Sequence, residues 1–308
     1  MTDRAERRAT LLAGEPGAWA TRLVWLLLPF TAGPACAAAL DGRSGPVRTT
    51  ATLLLWGGWT AALGASLVPR TTTLTAIRIV MPAAVPVTVW ATTAGAPADA
   101  AVGSSVAAVV GAVLAFAAVM SPLTGDAFVN GSSYGPERRF ALRVPGALLV
   151  GPVALAWAAV VAAAVGGPLL LAAGQWVAGA VAVAAAVPVG PVAVRALHGL
   201  SRRWVVFVPA GFVLHDPFTL VEPMLATRRS IAALGAALDT DADADALDAT
   251  AGAPGLALRL EVRDALTIGV KERGGRSSRE RTASTVLFTP TRPGALLREA
   301  GRRRLPVA

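Results

Sequence analysis

Few side chains in this chain are suited to chemistry, and their spacing excludes more than it suggests. There is one cysteine, Cys36, and there are two histidines, His198 and His215. A single thiol excludes an internal disulfide, a zinc ribbon and a CxxC redox pair, and two imidazoles do not make a multi-histidine metal site. Gly131-Ser132-Ser133-Tyr134-Gly135 matches G-x-S-x-G, which in hydrolases holds a serine on a strained turn between strand and helix. No strand of a doubly wound sheet precedes it here, so a Gly/Ser turn is the simpler reading. An intramembrane serine protease needs Gly-x-Ser-Gly in one helix and His in another. Gly103-Ser104-Ser105 lacks the closing glycine, and His198 lies beyond the apolar part of its segment. Asp239, Asp241, Asp243, Asp245 and Asp248 suggest calcium, but Ala244 stands where the loop requires glycine and Thr250 where it requires a bidentate Glu. A solvated acidic loop is expected instead. His215-Asp216 has too few companion histidines for a metal phosphohydrolase. No catalytic residue, cofactor or metal is expected, because no nucleophile, base and orienter can be assembled.

The elements around these residues are dominated by apolar runs. The chain is 54% hydrophobic and 15% charged, with a mean hydropathy of +0.58, which is outside the range of ordinary soluble domains. Roughly 20 apolar residues in a helix cross a bilayer. Runs of that size predict spans at 19–40, 50–68, 73–94 and 100–120. No charge occurs from Val144 to Val194, and one helix of that length would measure about 75 Å. It must fold back, and Gly166-Gly167-Pro168 supplies a flexible point and a helix break. Spans at 145–165 and 169–193 follow. The fold class expected is an α-helical membrane bundle of about six transmembrane helices plus a small β-rich C-terminal domain.

Charge sets the orientation. The net charge is +9 and Lys271 is the only lysine. The arginines flank apolar runs rather than forming the patch that nucleic-acid binding needs, so no nucleic acid is expected as a partner. Arg4, Arg7 and Arg8 precede the first span, Arg70 follows the second, Arg138, Arg139 and Arg143 follow the fourth, and Arg195, Arg202 and Arg203 follow the sixth. Arg43, Arg48 and Asp99 fall on the other side. The bias puts segment 1–18 and both termini in the cytoplasm of a multi-pass cell-membrane protein. Asn130-Gly131-Ser132, a glycosylation sequon by pattern, would then go unused. Gly33-Pro34-Ala35-Cys36 is a poor lipoprotein cleavage box, and Cys36 reads as a small apolar helix residue.

Two polar residues are expected within spans: Arg78, close enough to the cytoplasmic end to snorkel, and Gln175, suited to a bond between helices. No Asp or Glu lies in any expected span, so a buried carboxylate for proton or sodium coupling has no visible carrier. The expected working surface is the cytoplasmic loop from Leu123 to Arg143, with Tyr134, Glu137, Arg138 and Arg139.

After Arg203 the texture changes. Trp204 to Val208 and Gly211 to His215 read as two strands around a Pro-Ala-Gly turn, with further strands at Thr219 to Val221, Leu256 to Val262, Leu266 to Val270 and Ser284 to Thr289. Pro293 to Arg304 reads as a closing helix. Short strands closed by a helix, together with Val286-Leu287-Phe288-Thr289-Pro290-Thr291-Arg292-Pro293-Gly294-Ala295-Leu296-Leu297, resemble a bacterial pleckstrin-homology-like (PH-like) domain over residues 202–305. The whole chain resembles a family of uncharacterised actinobacterial multi-pass membrane proteins. Phe128-Val129-Asn130-Gly131-Ser132-Ser133-Tyr134-Gly135 and Arg202-Arg203-Trp204-Val205-Val206-Phe207-Val208-Pro209-Ala210-Gly211 carry that likeness. The resemblance implies topology and source and transfers no active site. The function expected is a non-enzymatic, membrane-anchored interaction or regulatory protein. Its partners are the lipid bilayer and another membrane or cytoplasmic protein at the C-terminal domain; a transporter or channel component is the alternative.

Overall fold

The computed structural model describes residues 16–94, 102–237, 246–272 and 277–308. Arg4, Arg7, Arg8, Asp99, Asp239, Asp241, Asp243 and Asp245 lie outside the described residues. The chain divides into two compact units, one of residues 1–128 and 155–196 and one of residues 129–154 and 197–308.

The first unit is helical. Its elements are α1 (Pro16–Leu40), α2 (Gly45–Leu67), α3 (Thr71–Val80), a 3₁₀ turn (Met81–Ala83), α4 (Ala84–Ala94), α5 (Val102–Met120) and α6 (Pro122–Asn130). After the first segment of the second unit come α8 (Pro152–Ala172) and α9 (Trp176–Ser201); α7 (Gly146–Leu149) belongs to the second unit. Among the described residues, five helical stretches are long and apolar enough to cross a membrane: 16–40, 71–94, 103–120, 146–172 and 176–201. α2 is 23 residues long but richer in Thr, Gly and Trp, and it is not among the five. The core runs along α1, where Trp25, Leu28, Ala32, Cys36 and Ala39 are buried, and along α5, where Ala108, Ala112, Ala115 and Val119 are buried. Steps of three and four residues put each set on one helix face, and the small side chains on α5 allow close approach.

The expected hairpin at Gly166-Gly167-Pro168 is not where the chain turns. α8 runs through all three residues to Ala172, and the turn is Ala173-Gly174-Gln175, with Gly174 at φ +76°. Gly167 instead serves contact between helices: a Cβ there would stand 2.6 Å from a Val183 methyl. A proline inside an apolar helix costs one backbone bond, which packing absorbs, whereas a left-handed turn requires a residue such as Gly174.

The second unit is a β-domain of two four-stranded sheets. The first has order β1-β2-β3-β4, all antiparallel, from Arg138–Ala141, Trp204–Val208, Gly211–His215 and Met224–Thr227. The second has order β5-β7-β8-β6, from Ile231–Ala236, Leu258–Lys271, Ser278–Phe288 and Ala246–Asp248. β6 joins it in parallel. Alternation drives the core: Val205 and Phe207, Phe212 and Leu214, Leu258 and Leu260, and Val286 and Phe288 all point inward. The closing helix α10 (Pro293–Arg302) adds Leu296 and Ala300. The strands expected at Leu256–Val262 and Leu266–Val270 are one strand, β7, with an irregularity between Glu261 and Leu266. Thr219–Val221 makes only a bridge, at Leu220.

The domain begins earlier than residue 202. β1 comes from the segment between α6 and α8 and pairs in register with β2, Arg138 opposite Phe207 and Ala141 opposite Trp204. The stretch expected as a loop, Leu123 to Arg143, thus supplies most of α6 and all of β1, with a turn between them.

Candidate functional site

Charges and buried hydroxyls of the helical unit gather around α6. Ser121 Oγ accepts the Thr124 N–H (3.2 Å) and Pro122 follows it, an N-cap with proline at the first helical position. Residues 124–129 are all buried. The Thr124 hydroxyl lies 2.9 Å from that of Thr21, with the Ala118 carbonyl at 2.7 Å and the Gly17 carbonyl at 3.1 Å. Gly17 makes this docking possible, since a Cβ there would stand 2.5 Å from the Leu123 carbonyl carbon. Next to Thr21 on α1, Arg22 Nε donates to the Ser66 carbonyl (2.9 Å).

Asp126, also on α6, is fully buried and is the acid within electrostatic reach of Arg78. The expectation that Arg78 simply snorkels is therefore incomplete. Its Nε is buried without an acceptor among the described residues, and its opposite charge comes from a segment expected to be loop. Arg78 also precedes a local tightening of its helix. Pro82 has no N–H to continue the ladder, and the backbone tightens to a 3₁₀ turn at Met81–Ala83. The Ile79 carbonyl just before this turn accepts the Trp157 indole N–H (2.9 Å) from α8. Gln175 is not part of this site or of any helix interior: it is an exposed residue of the turn before α9.

The expected surface of Tyr134, Glu137, Arg138 and Arg139 is only partly free. Tyr134 is 82% exposed. Glu137 holds Arg139 Nη2 at 3.3 Å and accepts the Tyr134 N–H at 3.3 Å. Arg138 stacks over Phe140 and Arg139 over Trp204, so β1 uses both arginines for packing. Ser133 Oγ donates to Asn130 Oδ1; the G-x-S-x-G match is a turn with Gly135 at φ +55°.

A buried ion pair ties β1's extension to β2 and β3. Arg203 Nε and Nη2 donate to the two carboxylate oxygens of Asp216 at 2.8 and 2.7 Å, and Nη1 donates to the Arg143 carbonyl at 2.6 Å. Asp216 also accepts the Phe218 N–H. Arg203 and Asp216 are 1% and 2% exposed, so this pair serves structure and does not meet ligands. Beside it, His215 stacks on Trp204 at 4.4 Å. Burial, and after it the Arg202 guanidinium, holds the imidazole below the usual histidine range.

Sequence reasoning missed Asp126 because α6 is too short to show an apolar period. The Ser121-Pro122 cap was the available signal. A cavity of about 300 Å³ in the helical unit is lined by Thr31, Pro34, Ala91, Thr92 and Ser104 and includes neither Arg78 nor Gln175. Among the described residues no group of three His, Cys, Asp or Glu side chains could hold a metal ion. Compared with known proteins, the chain has no matching family model, no matching curated protein and no matching solved structure.

Proposed function

We propose that this is a non-enzymatic, membrane-anchored interaction or regulatory protein whose β-domain, PH-like in having two sheets and a closing helix, docks a partner protein. One observation carries the reading. β1, which follows α6, and β2, which follows α9, are neighbours in one sheet. Both ends of the α8–α9 hairpin therefore return to the same domain, and a membrane crossed by α8 is crossed back by α9. A partner bound to that domain acts on the helices at two points of the chain.

The arginines put the β-domain on the cytoplasmic side. With the domain there, both termini are cytoplasmic only if α2 also crosses. Its 23 residues measure roughly 34 Å, enough for the hydrocarbon core, which gives six spans. The test is affinity purification of the tagged full-length protein from its native membranes in mild detergent, beside a version truncated after Arg203, with mass spectrometry of both. Specific proteins that depart with the strands after Arg203 support docking. A full-length protein that retains nothing specific refutes it.

One feature favours the alternative, a transporter or channel component. Intramembrane charges are functional suspects by default, and Arg78 stands in the stretch 71–94 shortly before it tightens to a 3₁₀ turn. Flux through liposomes holding the intact protein, abolished by Arg78→Ala, would favour this alternative.

A further inference from the structure

Basic side chains gather where three elements of the β-domain meet. α10 closes with Arg302, Arg303 and Arg304, the last at φ +56°, and beyond it the Leu234 N–H of β5 donates to the Pro306 carbonyl (2.9 Å). The turn from β4 to β5 carries Arg228 and Arg229, and the irregular stretch of β7 carries Arg263. Hydrogen bonds tie these three carriers together. Arg228 Nη2 donates to the Arg303 carbonyl, and the Arg263 N–H donates to the Ser230 carbonyl of the turn (2.8 Å). Arg303 is committed to the domain itself: its Nε donates to Glu299 (2.7 Å), Nη1 to the Phe207 carbonyl (3.3 Å) and Nη2 to the Pro136 carbonyl.

A helix end alone does not account for this charge. Cations in a last turn are favoured by the helix dipole, which explains Arg302 and Arg303, but not guanidiniums brought to the same place by a turn and by β7. The carboxylates on these segments are Asp264 and Glu299, and Glu299 already holds Arg303 at 2.7 Å and Arg302 at 3.7 Å. Arg229, Arg263 and Arg304 are exposed and have no ion pair among the described residues. Like charges held together repel, and an anion relieves that repulsion. The Arg303 bond to Pro136 also brings in Tyr134, two residues earlier and 82% exposed.

We propose that this surface docks an acidic segment of a partner protein, with Arg229, Arg263 and Arg304 meeting its carboxylates and Tyr134 covered at the margin. The proposal rests on the docking function above and names the surface and the chemistry of the partner. Each guanidinium offers a planar fork that matches a carboxylate. A protein segment is favoured over lipid headgroups because the carriers are fixed to one another. The turn at 227–230 is closed by the Ser230 N–H on the Thr227 carbonyl (3.0 Å), and Arg303 is held on three sides. Attraction to headgroups follows the number of basic charges and needs no fixed spacing, whereas charges on a fixed backbone select carboxylates at matching spacing. Arginine together with exposed tyrosine is also the composition of interface hot spots.

The probe is a fluorescent peptide, Asp-Glu-Asp-Glu-Leu-Asp-Glu, titrated by anisotropy against the full chain in a non-ionic detergent at about 0.15 M salt. Saturable binding is expected, weaker by about tenfold when Arg229→Gln, Arg263→Gln and Arg304→Gln are combined, because three exposed ion pairs are lost. Those side chains make no hydrogen bond within the domain, so the triple variant should keep the parent's midpoint of thermal unfolding. A control removes the same charge elsewhere, with Arg48→Gln, Arg195→Gln and Arg279→Gln, and should bind as the parent does. An equal loss in the control would mean that only net charge acts, and it overturns the proposal, as does a parent that shows no saturable binding. Displacement of the peptide by dihexanoyl phosphatidylserine at concentrations below the peptide's own Kd would assign the surface to lipid headgroups and overturn it too. Native partners that still co-purify with the triple variant would refute this surface while leaving the docking function standing.

Discussion

Asp216→Asn should open the β-domain locally, and the size of the effect follows from what the carboxylate holds. Asp216 accepts both arms of Arg203 and the Phe218 N–H, and both members of the pair are shut off from water. Asparagine keeps one acceptor oxygen but turns an NH₂ toward a guanidinium that remains buried and charged. Removing one partner of such a pair costs about 3–5 kcal/mol, because the remaining charge has no compensation. At 1.36 kcal/mol per tenfold change, 3 kcal/mol is roughly a hundredfold or more in the opening equilibrium. The assay is hydrogen exchange with mass spectrometry on the full-length protein in detergent, read on peptides covering Trp204–Val208 and Gly211–His215. The double variant Arg203→Met with Asp216→Asn tests the cause. It removes both charges, keeps an acceptor oxygen for the Phe218 N–H and leaves the Arg143 carbonyl without a donor, a loss of about 1–3 kcal/mol. The double variant should therefore be more protected than Asp216→Asn alone. If the single variant exchanges within about threefold of the parent, or the double variant is the worse of the two, the reasoning about an uncompensated buried charge is wrong.

The remaining expectations concern backbone, protons and topology. Gly17→Val places a side chain inside the backbone at Leu123; overpacking of this kind costs about 1–3 kcal/mol and should lower the midpoint of thermal unfolding in detergent. Arg304→Gly should stabilise α10 and the segment after it by about 1 kcal/mol, since a left-handed residue with a Cβ is replaced by glycine, visible as slower exchange at Leu234. His215 is held below its ordinary pKa of 6.5 by burial. The unfolded chain therefore takes up a proton first, and β-domain stability should be full above pH 6.5 and decline as pH falls from there toward the lowered folded value. His215→Gln should remove that slope, and an unchanged slope would assign it to another group. A topology reporter placed at Gly42 should read the side opposite the β-domain, and one at Arg70 the same side as the domain. Identical readings at the two positions would mean that α2 does not cross.

What could be read from the sequence depended on the range of the forces involved. Long apolar runs marked the helices because each must satisfy its own backbone and meet lipid or another helix along its length, a requirement written locally. The strands Trp204–Val208 and Gly211–His215 were legible for a similar reason: a short turn joins them and every other residue points inward. β1 was not legible, because its partner lies far along the chain and Arg138-Arg139 resembles a membrane-flanking charge cluster until β2 is beside it. The Gly166-Gly167-Pro168 expectation failed because glycine serves both turns and close helix contact, and only the position of Val183 distinguishes the two uses.

Arg78 and Arg203 show the same limit for charge. From the sequence Arg203 reads as a flanking arginine beyond the sixth span and Arg78 as a snorkelling charge within the third, yet Arg203 is fixed by Asp216 and Arg78 has Asp126 within electrostatic reach. Counting arginines by position treats them as equivalent anchors, whereas burial commits some of them to an acid supplied by another element. Arg203 should therefore be discounted when orientation is inferred, and Arg70, Arg195 and Arg202 carry more of that argument. The pairing of β1 with β2 is the stronger constraint. It fixes an even number of crossings between Ala141 and Trp204 whatever the charges do, because one sheet cannot form from strands on opposite sides of a bilayer.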